Sequence, residues 1–583
     1  MKMSLLLVLL LTPTLCLPYL LPLPPPPLSR IPAARLPVPD LSVAPFPPAP
    51  YDLPHAKGCQ YDLVVLGAGP AGETAAVRAS KFGARVALVE VRAEFGGPAG
   101  LTSKAVREAT KRIVGAVGQI GGDSRRQVKR LWRNNYRKLR TESESLQAAE
   151  TRARLQKARV DLYVGKAEFL PSPTAPPSAA AVPPPRSRLR RLFSSSAPSP
   201  PPPPAAPVSL QICRDQTTRV VTSRKVIIAT GSRPNLPARY VPPSRTPAPV
   251  PPPFAIPWKP KVVMDATGFA SVSELPSSVA VVGGGVIAVE YATVLARLRV
   301  GVTLLTPKSG FLPFLSKELR RSMRKSLKEN NILVVESPLT NITLNATSPL
   351  PVTVSVADGR RLRVETCLYS GGRNANSNKL SCGAAGVELG KFGRVKVLGK
   401  AYATTNPNVH AVGDVVGPPG LASSAVKQAR TVTDILFGGA GGGGDCEGNT
   451  GCFNDAPMTL WTFPEVAAVG ISQERALATA VEAEKSKVVC GYCRWKDCAR
   501  GRLADPSGYV KVIARFVEDS GAHEVLGWEI FGEGANELIQ TSSILIQARF
   551  SVEQIAATPF AAVTLGASLQ AACEDALDKS QHA

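Results

Sequence analysis

The segment Tyr61-Asp-Leu-Val-Val-Leu-Gly67-Ala-Gly69-Pro-Ala-Gly72 limits the folds open to this chain more than any other. A largely apolar run, too short for a helix, leads straight into glycines at G-x-G-x-x-G spacing. Ala75 to Phe82 then reads as a helix, and Ala84 to Val89 as a second apolar strand ending in Glu90. Each part has a physical role. Gly67 makes the tight turn, Gly69 lets the backbone approach a pyrophosphate, and Gly72 lets the helix pack close to the strand. The unpaired amides and positive dipole end of the helix hold phosphates. Glu90, about twenty residues past the turn, is placed to accept from a ribose hydroxyl. Three such glycines alone occur often by chance. With strand, helix and terminal acid in order, they specify a dinucleotide-binding unit.

The pattern recurs at Val279-Ala-Val-Val-Gly283-Gly284-Gly285-Val-Ile-Ala288-Val-Glu290, followed by a strand from Val302 to Leu305. Two units in one chain imply two dinucleotides, a flavin paired with a nicotinamide. The second unit's strand runs into Thr306-Pro307-Lys308, with no acid. An acid there selects an unphosphorylated ribose, whereas a nearby cation tolerates the 2′-phosphate. Lys308 reads either as that cation or as an exposed loop lysine. NADPH is expected to be accepted, with NADH left open.

With both units in place, the chain resembles the flavoproteins of the pyridine nucleotide–disulfide oxidoreductase family over about residues 59 to 575. Val226-Ile-Ile-Ala-Thr230-Gly231-Ser-Arg-Pro234 resembles the family's turn that closes the FAD domain. Thr404-Thr-Asn-Pro-Asn-Val-His-Ala-Val-Gly413-Asp414-Val resembles its second FAD segment, which implies that Asp414 binds the ribityl chain. Gly527-Trp-Glu-Ile-Phe-Gly-Glu-Gly-Ala-Asn-Glu-Leu-Ile539 resembles its dimerisation domain. Within the family, the soluble pyridine nucleotide transhydrogenases are most similar, through Thr303 to Glu318, Leu368-Tyr-Ser-Gly-Gly372-Arg373-Asn and Gly420-Leu-Ala422-Ser-Ser-Ala425. The resemblance implies an α/β fold with two Rossmann-like dinucleotide-binding domains, for FAD and NAD(P), plus a C-terminal α+β dimerisation domain. It also implies a homodimer, for which Leu538 to Leu545 supplies a helical apolar stripe. Thr230, Gly231, Gly372, Asp414 and Ala422 join the glycines as expected cofactor contacts.

The departures from the family decide the expected chemistry. Disulfide reductases carry two cysteines in G-G-x-C-x4-C-x-P-S-K, where this chain has Gly96-Gly97-Pro-Ala-Gly-Leu-Thr102-Ser103-Lys104. They also use a carboxy-terminal His-Pro-x4-Glu element as base, aligned here with Ala561-Ala562-Val563-Thr564-Leu565-Gly566-Ala567. A thiolate that is absent needs no base, so electrons are not relayed through a flavin-adjacent disulfide. Lys104 remains. The resemblance places it against flavin N5 and pairs it with Glu290, where a cation stabilises charge on the reduced ring. The reaction that the resemblance to the soluble transhydrogenases implies is hydride transfer from NADPH through FAD to NAD+. Two alternatives stay open: an NAD(P)H reductase with a quinone or other non-thiol acceptor, and a flavin-binding redox sensor without turnover.

The expected division gives a leader and proline-rich linker over 1–58, then FAD-domain segments over 59–170 and 208–260 separated by a proline-rich insert over 171–207. The NAD(P) domain covers 261–364 and the second FAD segment 365–440. A glycine-rich insert (441–455), the dimerisation domain (456–576) and a short tail (577–583) follow. Of 583 residues, 55 are proline and 48 glycine, clustered in these inserts, which cannot bury enough surface to fold. Lys2, the apolar run Leu5–Leu11 and Cys16 make a signal-peptide layout, and the arginine-bearing, acid-poor stretch to Pro50 is transit-like. A plastid is the expected destination, with the lumen of the secretory pathway as the alternative.

The net charge of +25 raises nucleic acid or acidic membrane as partners. No sequence-reading module is visible, however, and the basic stretch Arg125–Arg140 spaces Leu131, Trp132, Tyr136 and Leu139 as a helix with a solvated basic face. No stretch beyond the leader is long and apolar enough for stable membrane insertion of the mature chain. Cys490-Gly-Tyr-Cys493 has no second ligand pair at zinc spacing, so no metal site is expected. The sequons Asn341-Ile-Thr343 and Asn345-Ala-Thr347 would go unused after organelle import.

Overall fold

A computed structural model describes residues 59–93, 95–96, 101–118, 124–171, 206–236, 239–240, 254–307, 311–399, 401–438, 456–480 and 487–581. The expectations for the leader and its linker, most of the proline-rich insert, the glycine-rich insert and Lys308 lie outside these residues.

The first glycine motif opens a seven-stranded sheet. Its strand Tyr61–Leu66 is buried at every position, as a strand covered on both faces must be. It pairs in parallel with Val86–Glu90 on one side and with the end of Thr217–Ile228 on the other. Asp161–Val164 extends the sheet beyond Val86–Glu90, and Val409–Ala411 adds to Thr217–Ile228. The earlier half of Thr217–Ile228 turns antiparallel against Val208–Arg214, which pairs with Lys166–Phe169. Helix Pro70–Lys81 begins directly after Gly69, earlier than the apolar spacing predicts. Proline at a first helical position is preorganised, because its missing N–H is one the helix cannot use.

The second motif opens a five-stranded parallel sheet in the order Val263–Asp265, Thr366–Tyr369, Ser278–Val282, Gly301–Thr306, Leu333–Glu336. This corrects the expected boundary at residue 365. Thr366–Tyr369 is buried throughout and lies between two strands of the nicotinamide sheet rather than in the second FAD segment. An antiparallel ribbon, Leu339–Leu344, Val352–Val356 and Arg361–Val364, lies between the last sheet strand and that returning strand. The chain runs into and out of this domain through two short antiparallel strands, Ser232–Pro234 and Arg373–Ala375.

A third, five-stranded sheet is antiparallel, in the order Met458–Leu460, Val466–Gly470, Ala522–Phe531, Tyr509–Val517, Val488–Arg494. Helices Ala535–Gln547, Val552–Ala557 and Ala567–Gln581 accompany it. A Cβ on Gly491 would fall 2.0 Å from Ala572 O, so only glycine lets the last helix sit this close to the edge strand. The basic helix spans Ser124–Lys157. Its Trp132 and Tyr136 stack at 4.1 Å and donate to Val272 O and Ala270 O, docking its apolar face on the nicotinamide domain.

Candidate functional site

The two glycine turns are built alike. Gly67 N donates to Val89 O, and Gly283 N to Leu305 O, both at 2.8 Å. Gly67 has φ +104° and Gly283 φ +140°, backbone positions that side chains rarely adopt. A Cβ on Gly67 would lie 2.5 Å from Ala229 O, and one on Gly283 would lie 2.6 Å from Ser370 O. Gly72 is tighter still, since its Cβ would meet Gly67 O at 1.8 Å. The second motif carries fully buried Ala288 at the corresponding place.

Gly69 and Gly285 are different, because a Cβ on either would meet nothing within 4 Å. Both precede a helix, and among the described residues no side chain caps the first amides of Pro70–Lys81 or Val286–Arg297. Glycines whose side of the turn is empty, beside uncapped helix amides, fit phosphates on the backbone at both sites.

The strand-end residues then set the two apart. Glu90 is buried, and its Oε2 accepts from Ala68 N at 2.8 Å, with Oε1 3.3 Å from Arg92 N. Counted from the paired strands, Thr306 holds the place in the second unit that Glu90 holds in the first. Thr306 is 1% exposed, and its hydroxyl has no hydrogen-bond partner among the described residues. The hydroxyl of Ser370, packed against Gly283, is likewise buried and unpartnered among them.

Thr230 and Gly231 lie on the connection beside the first turn. Thr230 Oγ1 donates to Asn376 O at 2.8 Å, Asn376 Nδ2 returns a bond to Thr230 O, and Asn376 N donates to Gly231 O. Gly372 has φ +104° and its carbonyl accepts from Asn235 N, closing the second strand of the same linker. Asp414 follows Gly413, whose N donates to Gln428 Oε1 at 2.7 Å. Its Oδ2 accepts from Ser232 Oγ at 2.7 Å, and Ser232 Oγ also accepts from Arg373 Nε. Ala422 is the exposed first residue of helix Ala422–Phe437, the helix that supplies Gln428. The linker and the second FAD segment are thus joined by hydrogen bonds around Asp414.

Lys104 occupies the first turn of helix Leu101–Gly118, and Glu290 lies 6% exposed in helix Val286–Arg297. Both reach Trp461, which the sequence patterns do not single out. Lys104 Nζ lies 5.4 Å from the Trp461 ring centroid, and Glu290 Oε1 accepts from Trp461 N at 2.9 Å. Arg107, one helical turn after Lys104, is 1% exposed and also faces the Trp461 ring, at 5.5 Å. It pairs with buried Glu465, whose Oε2 accepts from Gly534 N and Asn536 N at the start of helix Ala535–Gln547. The aromatic segment Trp461–Phe463 therefore ties a flavin-domain helix to a nicotinamide-domain helix. Its only sequence signal is an aromatic pair just before a proline and an acid.

Comparison with known proteins bears directly on this architecture. Residues 61–429 match the sequence profile described as pyridine nucleotide-disulphide oxidoreductase, and residues 456–573 match that family's dimerisation domain. The soluble pyridine nucleotide transhydrogenase of Mycobacterium bovis (strain BCG / Pasteur 1173P2) is 28% identical over 528 residues, covering 89% of this chain and 98% of the relative. That of Pseudomonas putida (strain GB-1) is 27% identical over 499 residues, covering 83% and 91%. Among solved structures, LpdA from Mycobacterium tuberculosis superposes with a TM-score of 0.67 at 22% identity, over 88% of this chain and 98% of that one. The HOCl-induced flavoprotein disulfide reductase RclA from Escherichia coli gives 0.64 at 22%, over 88% and 99%.

Proposed function

The chain belongs to the pyridine nucleotide–disulphide oxidoreductase family, and from that premise we propose that it is a soluble-transhydrogenase-like enzyme, passing hydride from NADPH to NAD+ by way of FAD without a redox disulfide. Its cofactors are FAD and NAD(P)H, as the family requires of two such cradles. The observation that carries the reading is the pairing of two well-formed nucleotide turns with a 96–104 segment that holds no cysteine.

FAD, when bound, supplies the two-electron chemistry. The residues do the rest. Gly67, Gly69 and Gly72 bring helix amides to the pyrophosphate, Glu90 offers a carboxylate to a ribose, and Asp414 offers one to the ribityl hydroxyls. Gly283, Gly285 and Ala288 repeat the phosphate cradle for the nicotinamide nucleotide. Lys104 places a cation beside the reacting ring, where a site shielded from water magnifies its effect. Glu290 and the Trp461 ring hold that cation's surroundings in place, with Arg107 behind them. Two copies joined through the carboxy-terminal domain complete the enzyme, and we place it in a plastid on the strength of its leader's composition.

The test is anaerobic. NADPH is expected to bleach the purified yellow protein, and NAD+ added alone should restore the colour with formation of NADH. Reoxidation by quinones only would replace this reading with the quinone reductase, and a protein that NADPH does not reduce would leave only the sensor.

A further inference from the structure

A second chemical constellation lies in the carboxy-terminal domain, apart from both nucleotide turns. His523 is the second residue of the strand Ala522–Phe531, and its backbone N donates to both oxygens of Glu553 at 3.0 and 3.2 Å. The ring turns back to the same group, with Nδ1 2.7 Å from Glu553 Oε1. Burial alone would raise the Glu553 carboxyl, but hydrogen bonds from His523, its own backbone and Ser551 together outweigh it and hold the carboxyl below its ordinary value. An ionised carboxylate has no hydrogen to give, so Nδ1 carries one. In the neutral ring the lone pair is then on Nε2, which lies 2.8 Å from Ser580 Oγ. In that form the serine hydroxyl donates to it.

The ring has little freedom to leave this arrangement. His523 is 6% exposed and lies 5.2 Å from the Phe516 ring. Glu553 sits in the first turn of helix Val552–Ala557, which Ser551 and Gln554 close with a capping box. Ser580 is half-buried in the last turn of helix Ala567–Gln581. A hydroxyl bonded to a base that a third group orients is the signature of an activated nucleophile.

We propose that Ser580, with His523 as its base and Glu553 as the group that orients the base, is a site of covalent modification by electrophilic acyl or phosphoryl compounds. Ser580 Oγ forms a bond to the acyl carbon or to phosphorus while its proton passes to His523 Nε2. The bond to the leaving group breaks, the leaving group departs with the electron pair, and the imidazolium gives up the proton to it or to water. Nothing is oxidised or reduced. The end of the helix presents carbonyl oxygens rather than amides, the wrong sign for a developing oxyanion. Weak oxyanion stabilisation slows attack and release alike, so single modification by strong electrophiles, rather than turnover, is expected.

The experiment treats the full-length flavoprotein with a fluorophosphonate and follows intact mass and peptide mapping. One adduct is expected, on Ser580, absent in Ser580→Ala and formed about 100-fold more slowly in His523→Gln, the size of a general-base contribution. Glu553→Gln, which keeps the side chain's shape, should slow labelling in the same direction, and it serves if His523→Gln does not fold. An unlabelled Ser580, or labelling indifferent to these substitutions, overturns the proposal. Neither result touches the flavin reaction, so the two readings fall independently.

Discussion

Glu90 and Thr306 occupy one structural position in two copies of the same unit, yet one is a bonded carboxylate and the other an unpartnered hydroxyl. A carboxylate there repels a 2′-phosphate, whereas a small hydroxyl leaves room and a donor. Thr306→Glu is expected to weaken NADPH binding relative to NADH by about 100-fold, since like charges brought together at a binding surface cost several kcal/mol. Equilibrium titration of the protein with each nucleotide checks it, and an unchanged ratio removes Thr306 from the recognition of that ribose. At this scale the glycines, Glu90 and the absent acid were legible, because turns and strand ends impose residue types locally. Trp461 was not, since nothing near it in sequence announces that Lys104 and Glu290 converge there from two other domains. Lys308 lies outside the described residues, and its contribution stays with the proposal.

Helices make that convergence possible. Val286–Arg297 presents Glu290 to Trp461 N and Thr293 Oγ1 to Phe463 N, while Leu101–Gly118 brings Lys104 and Arg107 to the other side of the same segment. Arg107 and Glu465 hold the junction with side chains 2% and 5% exposed. Removing one member of a buried pair strands the other charge, at a cost of about 3–5 kcal/mol. Glu465→Ala is therefore expected to lower stability by that amount in urea unfolding, and it also takes the acceptor from the start of helix Ala535–Gln547. A loss below about 1 kcal/mol, the range of an exposed pair, would show that the junction is solvated. The second glycine motif implied a helix at Val286–Arg297, whereas nothing read from the sequence marked Leu101–Gly118. Nor could the sequence show the pairing of Arg107 with Glu465, which depends on how two distant segments meet.

For the whole molecule, the order of domains followed from two motifs and a family likeness. The strand Thr366–Tyr369 was misassigned because a buried parallel strand has no face to mark which sheet it joins. The cysteines carry the last expectation. Burial pushes the thiols of Cys382 and Cys490 up to about 11 and those of Cys367, Cys493 and Cys573 up to about 12. Nucleophilic thiolate is scarce at such values near neutral pH. Iodoacetamide at pH 7 is expected to leave NADPH-dependent turnover unchanged, and inactivation traced to an alkylated cysteine near the flavin would refute a thiol-free route. The paired strands Ser232–Pro234 and Arg373–Ala375 carry a wider consequence. Because the departing and returning backbones lie side by side, everything between them is spliced in at a single seam. A gene could exchange that stretch for a relative's as one cassette, trading coenzyme preference without redrawing the flavin half.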